Sequence, residues 1–512
     1  MISKIVVVGG GSAGTMSAYT LKKLFPEKQI VLLESDNIPT VGVGESTLGQ
    51  FNQWLALVDI EDKDFMKECN ASYKMSIKFN NFYQLNDTPF HYPFGVPHTD
   101  GNVAGLNDWY IKKILEPKTK VSDYADCYYP IMALVNQNKI LTDDANKDIG
   151  LPNYSFKRNV AYHFDAVQFA NWLRKKFKEI GGDCKIGTIT KVTTNEEGID
   201  QLYTEEGRIT GDLFIDCTGF NSLLLNKTLK EPFVSYEDIL PNNSAWAAQI
   251  PYNDKEKELK PYTNCTALSN GWVWNIPLWN RIGTGYVYSD KYISDQDALK
   301  EFKKHLGYDG GDLKFKNIKI NTGLHQRLFV KNVVAIGLSA GFIEPLESNG
   351  LISVHEFLIR LVRLLRRPSI PQYLKNHYNM TCGRFFRVFA EFVASHFALS
   401  CRNDSPYWRA IQNRNYEVEP IKGLVNSMFQ ENNFWVFDGN HYPNNTGMHC
   451  IAAGMNFHPT DEYAIRYATA TNDLSNFNPN VINNLYFKKE KWNHLVKNCP
   501  SMYDYLKNNI YS

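Results

Sequence analysis

The feature that most constrains the fold is a glycine fingerprint beside the N-terminus. A strand predicted over residues 5–8 from four β-branched side chains is followed by a G-x-G-x-x-G pattern and then by a helix predicted over residues 15–24. The first glycine permits a tight turn, the second lets the backbone approach a pyrophosphate, and the third lets the helix pack closely on the strand. The free N–H groups at the helix start favour an anion. The pattern predicts a dinucleotide-binding βαβ unit, the alternative being a tight turn without a ligand, and the expected phosphate contacts are Gly9, Gly11, Ser12, Ala13 and Gly14.

The segments that follow indicate which dinucleotide is bound. A second strand, predicted over residues 29–33, ends at Glu34, twenty residues after the fingerprint, where a carboxylate typically binds ribose hydroxyls. Two distant strand ends, at Cys217 and at Gly337, indicate a cofactor held between segments far apart in the chain, which favours FAD over NAD. Because no second G-x-G-x-x-G occurs, we expect no nicotinamide site and a flavin that is reduced elsewhere.

Pattern and composition predict the domain organisation. Residues 85–155 lack periodicity and predict long ordered loops, residues 232–290 are rich in strand patterns, and the chain becomes helical after residue 349. We predict a discontinuous FAD-binding module over residues 1–90, 155–225 and 325–366, inserted substrate-side or β segments over 91–154 and 226–324, and a mainly helical C-terminal region over 367–512 that completes the substrate pocket.

Charge and cysteine content exclude several classes of protein. The chain has 55 Lys and Arg against 54 Asp and Glu, a net charge of +1, which argues against nucleic acid as a partner. The 9 cysteines are scattered without C-x-x-C, and the 12 histidines form no H-x-H or H-x-x-x-H pair, so we predict neither a disulfide framework nor a metal site. The chain starts without signal-peptide features and has no apolar run of the roughly 20 residues that span a bilayer, so we expect a cytoplasmic protein without a membrane partner.

Three further segments carry side chains suited to a site. PTVGVGEST at 39–47 places two glycines and an acid after the second strand, where backbone can approach a flat ring. FIEPLESNG at 342–350 precedes a predicted helix whose start can hold a small anion. Residues 69–82, which begin with CNASYKMSIKF at 69–79, are predicted to form a strand, because polar and apolar residues alternate there. Taken singly, these are a glycine turn, a helix N-cap and a strand whose polar side, with Lys74, faces solvent.

Together the motifs resemble the flavin-dependent tryptophan halogenase family. The matches keep a consistent order from about residue 5 to residue 400 and fade beyond it. GWVWNIP and EPLES together are specific to that family among flavoproteins with this fingerprint. The matching stretches are VVVGGGSAG (6–14), PTVGVGEST (39–47), CNASYKMSIKF (69–79), AYHFDA (161–166), DLFIDCTGF (212–220), GWVWNIP (271–277), GTGYVYS (283–289) and FIEPLESNG (342–350).

The resemblance implies a two-component enzyme with a separate flavin reductase. In the family, reduced FAD, O2 and halide yield hypohalous acid, which passes to a lysine in a separate aromatic pocket for electrophilic halogenation. Lys74 matches that lysine, and Glu347 matches the carboxylate that stabilises the cationic intermediate. Asn349 and Gly350 match the halide-binding positions, although the family usually has Thr at the first, which leaves the halide preference open.

The resemblance also implies the fold and the remaining contacts. We expect an α/β fold, a FAD-binding Rossmann-like module of the flavin monooxygenase type with inserted β-rich substrate segments and a helical C-terminal region. Trp272 and Trp274 would share one face of a strand and separate flavin from substrate. Beyond the fingerprint, the expected cofactor contacts are Glu34, Gly42, Gly44, Glu45, Ser46, Gly337, Leu338 and Leu351, and the expected substrate pocket comprises Tyr92, Pro93, Phe94 and Trp435.

The sequence therefore predicts an FAD-dependent halogenase of a small aromatic substrate. No aromatic and polar set that would hold free tryptophan is evident in the C-terminal region, so another indole, a phenol or a pyrrole is an equal expectation, and homo-oligomerisation is left open. One alternative is an aromatic hydroxylase, which needs its substrate against the flavin and is disfavoured by a tryptophan wall. The other is a flavin-binding interaction protein, which needs neither Lys74 nor Glu347.

Overall fold

The β-branched run at the N-terminus forms an inner strand of a parallel sheet. The computed structural model describes residues 2–37, 45–98, 109, 113, 116–308, 313–414, 445–457 and 479–512. The strands, numbered along the chain, are β1 Lys4–Val8, β2 Gln29–Glu34, β3 Glu45–Ser46, β4 Ser72–Lys74, β5 Ser76–Asn80, β6 Phe90–Pro93, β7 Ala161–Phe164, β8 Asp183–Ile186, β9 Ile189–Asn195, β10 Gly198–Thr204, β11 Gly207–Ile209, β12 Leu213–Asp216, β13 Phe233–Ser235, β14 Ser244–Ile250, β15 Tyr262–Ala267, β16 Gly271–Pro277, β17 Ile282–Tyr288, β18 Lys316–Lys319, β19 Gly323–His325, β20 Phe329–Val330, β21 Val333–Ala335 and β22 Gly341–Phe342.

Two large sheets organise the described residues. The first has six strands in the order β20-β21-β12-β1-β2-β8, parallel except at β20. The second has seven strands in the order β18-β14-β17-β16-β15-β5-β6, antiparallel except where β15 and β5 run parallel. Three small sheets, β11-β10-β9, β13-β19-β22 and β3-β7-β4, complete the set. The domain division predicted from the sequence stays a prediction.

Helices pack around these sheets. The predicted helix over residues 15–24 is confirmed and begins earlier, at Ser12. No helix of the described residues combines the length and the apolar character needed to cross a membrane. The helices are Ser12–Leu24, Phe51–Leu57, Asp62–Phe65, Ser122–Tyr128, Met132–Gln137, Asp143–Ile149, Phe156–Asn159, Ala166–Glu179, Lys255–Glu258, Asp295–His305, Ile352–Leu365, Gln372–Ala398, Pro406–Gln412, Asn445–Gly454, Pro479–Leu495 and Met502–Asn509, with 3-10 turns at Gly219–Asn221, Gly337–Ser339 and Pro345–Glu347 and a π-helix at Leu223–Thr228.

The glycine fingerprint makes the predicted tight turn. Gly9 has a φ of +117°, and a Cβ there would lie 2.2 Å from the Cys217 carbonyl oxygen. A Cβ on Gly14 would lie 1.7 Å from the Gly9 carbonyl oxygen. Side chains are therefore excluded at both positions by backbone that cannot move aside. The turn brings the helix start against the carboxyl ends of β1 and β12.

Two expectations about the segment before residue 155 are wrong. Residues 85–155 are not a set of loops, because they contain β6 and the helices Ser122–Tyr128, Met132–Gln137 and Asp143–Ile149. The first two of these helices are short and buried on several sides, so they show no amphipathic period. Residues 69–82 are not one strand, because the chain passes at Met75 from β4 in a small sheet to β5 in the seven-stranded sheet.

Candidate functional site

Lys74 lies at the point where the chain changes sheets, and its side chain is fully buried rather than on a solvated face. Its Nζ donates to the Thr47 carbonyl oxygen at 3.0 Å and to the Ser348 hydroxyl oxygen. The ammonium also lies 4.9 Å from the centre of the Phe94 ring. Two acceptors and an aromatic face therefore surround a single amine in the interior.

Burial governs the protonation of this amine. Desolvation lowers the pKa of Lys74 to about 7, and the neighbouring Cys265 and Glu347 partly oppose that shift. Near neutral pH the side chain therefore exists both as an ammonium that donates hydrogen bonds and as a free amine that can act as a nucleophile.

Glu347 closes the 3-10 turn Pro345–Glu347 and is fully buried beside His396. Its Oε1 lies 2.7 Å from His396 Nε2, and His396 Nδ1 lies 3.1 Å from the Val393 carbonyl oxygen. Because a carbonyl only accepts, Nδ1 donates its hydrogen to Val393, and Nε2 is the ring nitrogen that faces the glutamate. Burial raises the pKa of Glu347, while His396 and Lys74 act in the opposite direction.

His396 is a site residue that the sequence did not reveal. It lies in the helix Gln372–Ala398, in a stretch of Phe, Val and Ala. A single histidine on an apolar helix face is ordinarily a core residue, so the sequence carried no signal for its role. Only the approach of this helix to the 3-10 turn Pro345–Glu347 brings its ring to the glutamate.

The turn after Glu347 has a constrained geometry. Ser348 has a φ of +58°, in the left-handed region, and Asn349 is buried behind it. Asn349 Nδ2 donates to the Ile343 carbonyl oxygen at 3.1 Å, and its Oδ1 accepts no hydrogen bond from a described residue. The amide therefore has one N–H committed to the backbone and one that remains for another acceptor.

Trp272 and Trp274 lie on the same face of β16, as their spacing predicted, with ring centres 6.0 Å apart at 56°. The Trp272 indole Nε1 donates to Glu344 Oε2 at 2.7 Å, and Asn242 Nδ2 donates to the same oxygen at 2.8 Å. Gly285 leaves room for the second ring, because a Cβ there would lie 2.2 Å from the Trp274 indole. Glu344 is thus the anchor of Trp272, a contact that the sequence did not reveal.

We expect Glu344→Gln to alter how stability depends on pH. Burial raises the pKa of Glu344 to about 7, against hydrogen bonds from Asn242 and Trp272 that lower it. The folded chain therefore holds a proton that the unfolded chain has released, and the wild type loses stability as the pH rises through about 7. Gln keeps the acceptor oxygen but cannot ionise, so its free energy of unfolding should fall less between pH 5 and pH 8. Urea unfolding of both proteins across this range measures the difference, and parallel curves would contradict the assignment.

The fingerprint region fits a bound dinucleotide. No side chain caps the helix start at Gly11, and the first turn carries no acidic residue, so its N–H groups suit a phosphate. Gly337 has a φ of +75°, and a Cβ there would lie 2.7 Å from the Ala13 Cβ, so the second loop packs directly on the helix start. Glu34 accepts from Arg174 Nε at 3.0 Å and from Nη2 at 2.7 Å, an ion pair that the sequence had not revealed.

The other expected site residues are distributed as follows. Leu338 lies in the 3-10 turn Gly337–Ser339, and Leu351 precedes the helix Ile352–Leu365. Ser46 lies in β3, 3.0 Å from Ser348 between hydroxyl oxygens. Gly350 lies between Asn349 and Leu351, just before the helix Ile352–Leu365. The residues outside the described part of the chain are Gly42, Gly44 and Trp435, together with the side chain of Glu45.

Part of the expected substrate pocket does adjoin the lysine and the glutamate. Tyr92 and Pro93 end β6, and the Tyr92 and Phe94 rings lie 6.1 Å apart, edge to face. Burial and the neighbouring Glu347 raise the pKa of the Tyr92 hydroxyl. The helix Asn445–Gly454 lies beside the same residues. Burial raises the pKa of the Cys450 thiol on this helix, and Cys450 is close enough to Glu347 for that carboxylate to raise it further.

Comparison with known proteins gives consistent matches. The family model described as tryptophan halogenase matches residues 4–470. Tryptophan 7-halogenase RebH of Lentzea aerocolonigenes is 31% identical over 551 aligned positions, which cover 99% of this chain and 98% of RebH. Tryptophan 6-halogenase SttH of Streptomyces toxytricini is 35% identical over 432 positions, 80% of this chain and 81% of SttH. The apo structure of VirX1 superposes with a TM-score of 0.92 at 36% identity over 100% of both chains.

Proposed function

Because this chain belongs to the tryptophan halogenase family, we propose that Lys74 and Glu347 together halogenate a small aromatic substrate, the lysine delivering the halogen and the glutamate stabilising the charge that develops on the ring. The observation that carries this proposal is the shared burial of the two side chains. Both are fully buried, and each shifts the other's pKa. Structural stability gains little from an amine and a carboxylate placed in the interior.

The family assignment confirms the resemblance and the fold drawn from the sequence. The protein is a flavin-dependent halogenase with the α/β, FAD-binding Rossmann-like fold of its relatives. It uses FAD in the reduced form, a halide and O2, and a separate flavin reductase supplies the reduced flavin. Reduced FAD, when bound, supplies hypohalous acid from O2 and halide. Homo-oligomerisation stays a prediction.

Lys74 is placed to receive that acid. As an ammonium it donates a hydrogen bond to the oxygen of hypohalous acid, and as a free amine it takes the halogen from that oxygen. In the second case a nitrogen–halogen bond forms, the oxygen–halogen bond breaks, and the N–H proton leaves with the hydroxide as water. The Thr47 carbonyl and the Ser348 hydroxyl direct the amine in both forms.

Glu347 acts on the ring after attack. Halogen transfer leaves a positive charge on the arene, which a buried carboxylate stabilises strongly because water is excluded. The ring then loses a proton, and the carboxylate is the nearby base that can accept it. The contact with His396 holds the carboxyl group in place.

The cofactor and halide roles are assigned on local geometry. The glycines of the fingerprint, with Ser12 and Ala13, would hold the FAD phosphates, and Glu34 would bind a ribose. Asn349 and Gly350 would hold the halide, with the uncommitted N–H of the Asn349 amide as a donor. Trp272 and Trp274 would separate flavin from substrate, which favours halogenation over direct hydroxylation.

We propose an indole as the substrate class, with free tryptophan as the first candidate. RebH and SttH, the relatives of this chain compared above, are tryptophan halogenases by name. The edge-to-face rings of Tyr92 and Phe94, beside the lysine, suit a flat apolar ring.

Incubation with a flavin reductase, NADH, FAD, O2 and bromide tests the function on a panel of tryptophan, other indoles, phenols and pyrroles. The expected result is a product carrying the bromine isotope pair in its mass spectrum, formed only when bromide is present. Gain of oxygen without bromine would establish the hydroxylase instead. Binding of FAD with neither product nor hypohalous acid would establish a flavin-binding protein without turnover.

A further inference from the structure

A chain of buried polar groups runs inward from Lys74. The Ser348 hydroxyl oxygen accepts from Lys74 Nζ and from the Ser46 hydroxyl, whose oxygen lies 3.0 Å away. Ser46 Oγ lies 2.7 Å from Thr263 Oγ1, which in turn lies 2.9 Å from His163 Nε2. Hydrogen bonds therefore continue over three side chains beyond the serine that contacts the amine.

Beyond His163, the series of polar groups reaches the backbone through Ser72. His163 Nδ1 lies 3.3 Å from Ser72 Oγ, and the Ser72 hydroxyl donates to the Pro277 carbonyl oxygen at 2.5 Å. None of the side chains in this series is more than 6% exposed. Because Ser46 donates its hydrogen to Ser348 and Ser72 donates its hydrogen to the Pro277 carbonyl, the single hydrogen of a neutral imidazole lies on the nitrogen that faces Thr263, and Ser72 packs against the other nitrogen.

The members of this series come from motifs far apart in the sequence. Lys74 and Ser72 belong to CNASYKMSIKF, Ser46 to PTVGVGEST, His163 to AYHFDA, Pro277 to GWVWNIP and Ser348 to FIEPLESNG, whereas Thr263 lies outside every motif. The roles proposed above use Lys74 but leave His163 and Ser72 without a function. Their convergence on the amine connects these motifs in three dimensions.

A core built from such a series of polar side chains is less stable than an apolar core of the same shape. Each hydroxyl and the imidazole lose their hydration on folding, and an apolar core of the same shape avoids that cost. The titratable groups that face the amine from the packed elements are Glu347 on the 3-10 turn, Cys265 on β15 and His163 on β7. Burial and the charge of Lys74 hold the pKa of His163 well below its usual range, so the imidazole stays neutral.

We propose that Ser46, Thr263 and His163, acting through Ser348, are positioning residues that fix the direction of the Lys74 amine and weaken its preference for the protonated form. The proposal rests on the proposed function of Lys74. The Ser348 oxygen that accepts from the amine also accepts from Ser46, and an oxygen with two donors is a weaker acceptor for each, so the series acts in the same direction as the desolvation that favours the free amine. A change at Thr263, which does not contact the lysine, should therefore alter the titration of the Lys74 amine.

Thr263→Val tests this, because it removes the hydroxyl with little change of shape. Thr266→Val is the matched control, since it makes the same change on β15 at a half-buried position that accepts instead from Asn80 Nδ2. We expect Thr263→Val to lower kcat about 3- to 10-fold, the effect of one lost hydrogen bond, and to move the pH midpoint of kcat up by about 0.2–0.5 unit, because the change reaches the amine only through neighbouring hydrogen bonds. KM for the arene should not change, and the control should match the wild type.

A second readout does not require turnover. Carbon-13 NMR of protein labelled at lysine Cε follows the titration of Lys74, whose signal is the one missing from Lys74→Met. The Lys74 midpoint should rise in Thr263→Val and stay in place in Thr266→Val. Ser46→Ala, which breaks the series one step nearer to the amine, should shift it in the same direction and replaces Thr263→Val if that variant does not fold.

The outcomes separate this proposal from the one on which it rests. Wild-type kcat and an unshifted Lys74 titration in both Thr263→Val and Ser46→Ala would overturn the positioning role, while the role of Lys74 could stand. Halogenation that persists in Lys74→Met would instead overturn the proposed function.

Discussion

Replacing Lys74 by Met is expected to abolish halogenation while reduced flavin is still oxidised. The amine is the only group proposed to carry the halogen, and loss of such a group typically costs at least about 10²–10⁴-fold in rate. Methionine is flexible and apolar, so it can fill the buried space beside Phe94. Halogenated product measured by mass spectrometry, against hypohalous acid captured by a diketone trap, separates the two activities.

The stability of the same variant distinguishes a catalytic role from a folding role. Burial lowers the pKa of Lys74 to about 7. Below pH 7 the amine is charged in the folded and in the unfolded protein, so the folded protein carries the full free-energy cost of burying a charge. Above pH 7 the folded protein can release the proton, so this cost declines until the pH reaches about 10.4, the pKa of lysine in an unfolded chain. Lys74→Met should therefore be more stable than the wild type at pH 6, and the difference should narrow towards pH 10.

Lys78→Met is the matched control for Lys74→Met. Lys78 lies on β5, three residues after Met75, with its Nζ 5.8 Å from the centre of the Tyr262 ring. It has no part in the proposed site, so halogenation should be unchanged. A Lys74→Met protein that lost stability together with both activities would contradict the catalytic assignment.

Glu347→Gln is expected to lower kcat for halogenation by about 10²–10³-fold while hypohalous acid still forms. Glutamine keeps the shape of the side chain but offers neither negative charge nor a base to the ring. The loss should be smaller for arenes that carry electron-donating groups, because their cationic intermediates need less stabilisation. Initial rates with a series of substituted indoles measure this dependence.

Glu344→Gln serves as the comparison for this prediction. Both glutamates are fully buried and lie three residues apart in one motif, but Glu344 contacts the Trp272 indole and Glu347 contacts His396. Only Glu347→Gln should show a rate loss that depends on the electron density of the arene. An equal loss for every substrate, or none, would contradict the role proposed for Glu347.

Local features made the cofactor-binding half of the fold predictable. The strand at residues 5–8 follows from its β-branched side chains, and the turn after it follows from glycines at positions where a Cβ would meet backbone. The pairing of Trp272 with Trp274 on one face follows from the two-residue period of a strand. Residue types and spacing within a few positions predict each of these, although the backbone that a Cβ on Gly9 would meet belongs to Cys217, far along the chain.

The environment of Lys74 could not be predicted in this way. Alternation over Ser72–Lys78 is typical of a strand with one solvated face, yet the chain leaves the first strand at Met75 and the lysine is buried where two sheets meet. The depressed pKa of its amine is a consequence of that burial. Pairing between strands distant in the sequence determines such a position, and alternation alone carries no information about it.

The amino-acid sequence by itself determined the dinucleotide fingerprint and the resemblance to the family, because these depend on residue types at fixed spacing, and the resemblance in turn implied the two proposed catalytic side chains. Only the tertiary structure decided which groups contact the side chains of the site: His396 against Glu347, Asn242 and Trp272 against Glu344, and the series from Ser348 to His163 behind Lys74. The physical reason is that a buried polar group must be satisfied by whatever the fold brings within about 3 Å, and those partners lie up to some three hundred residues away in the chain.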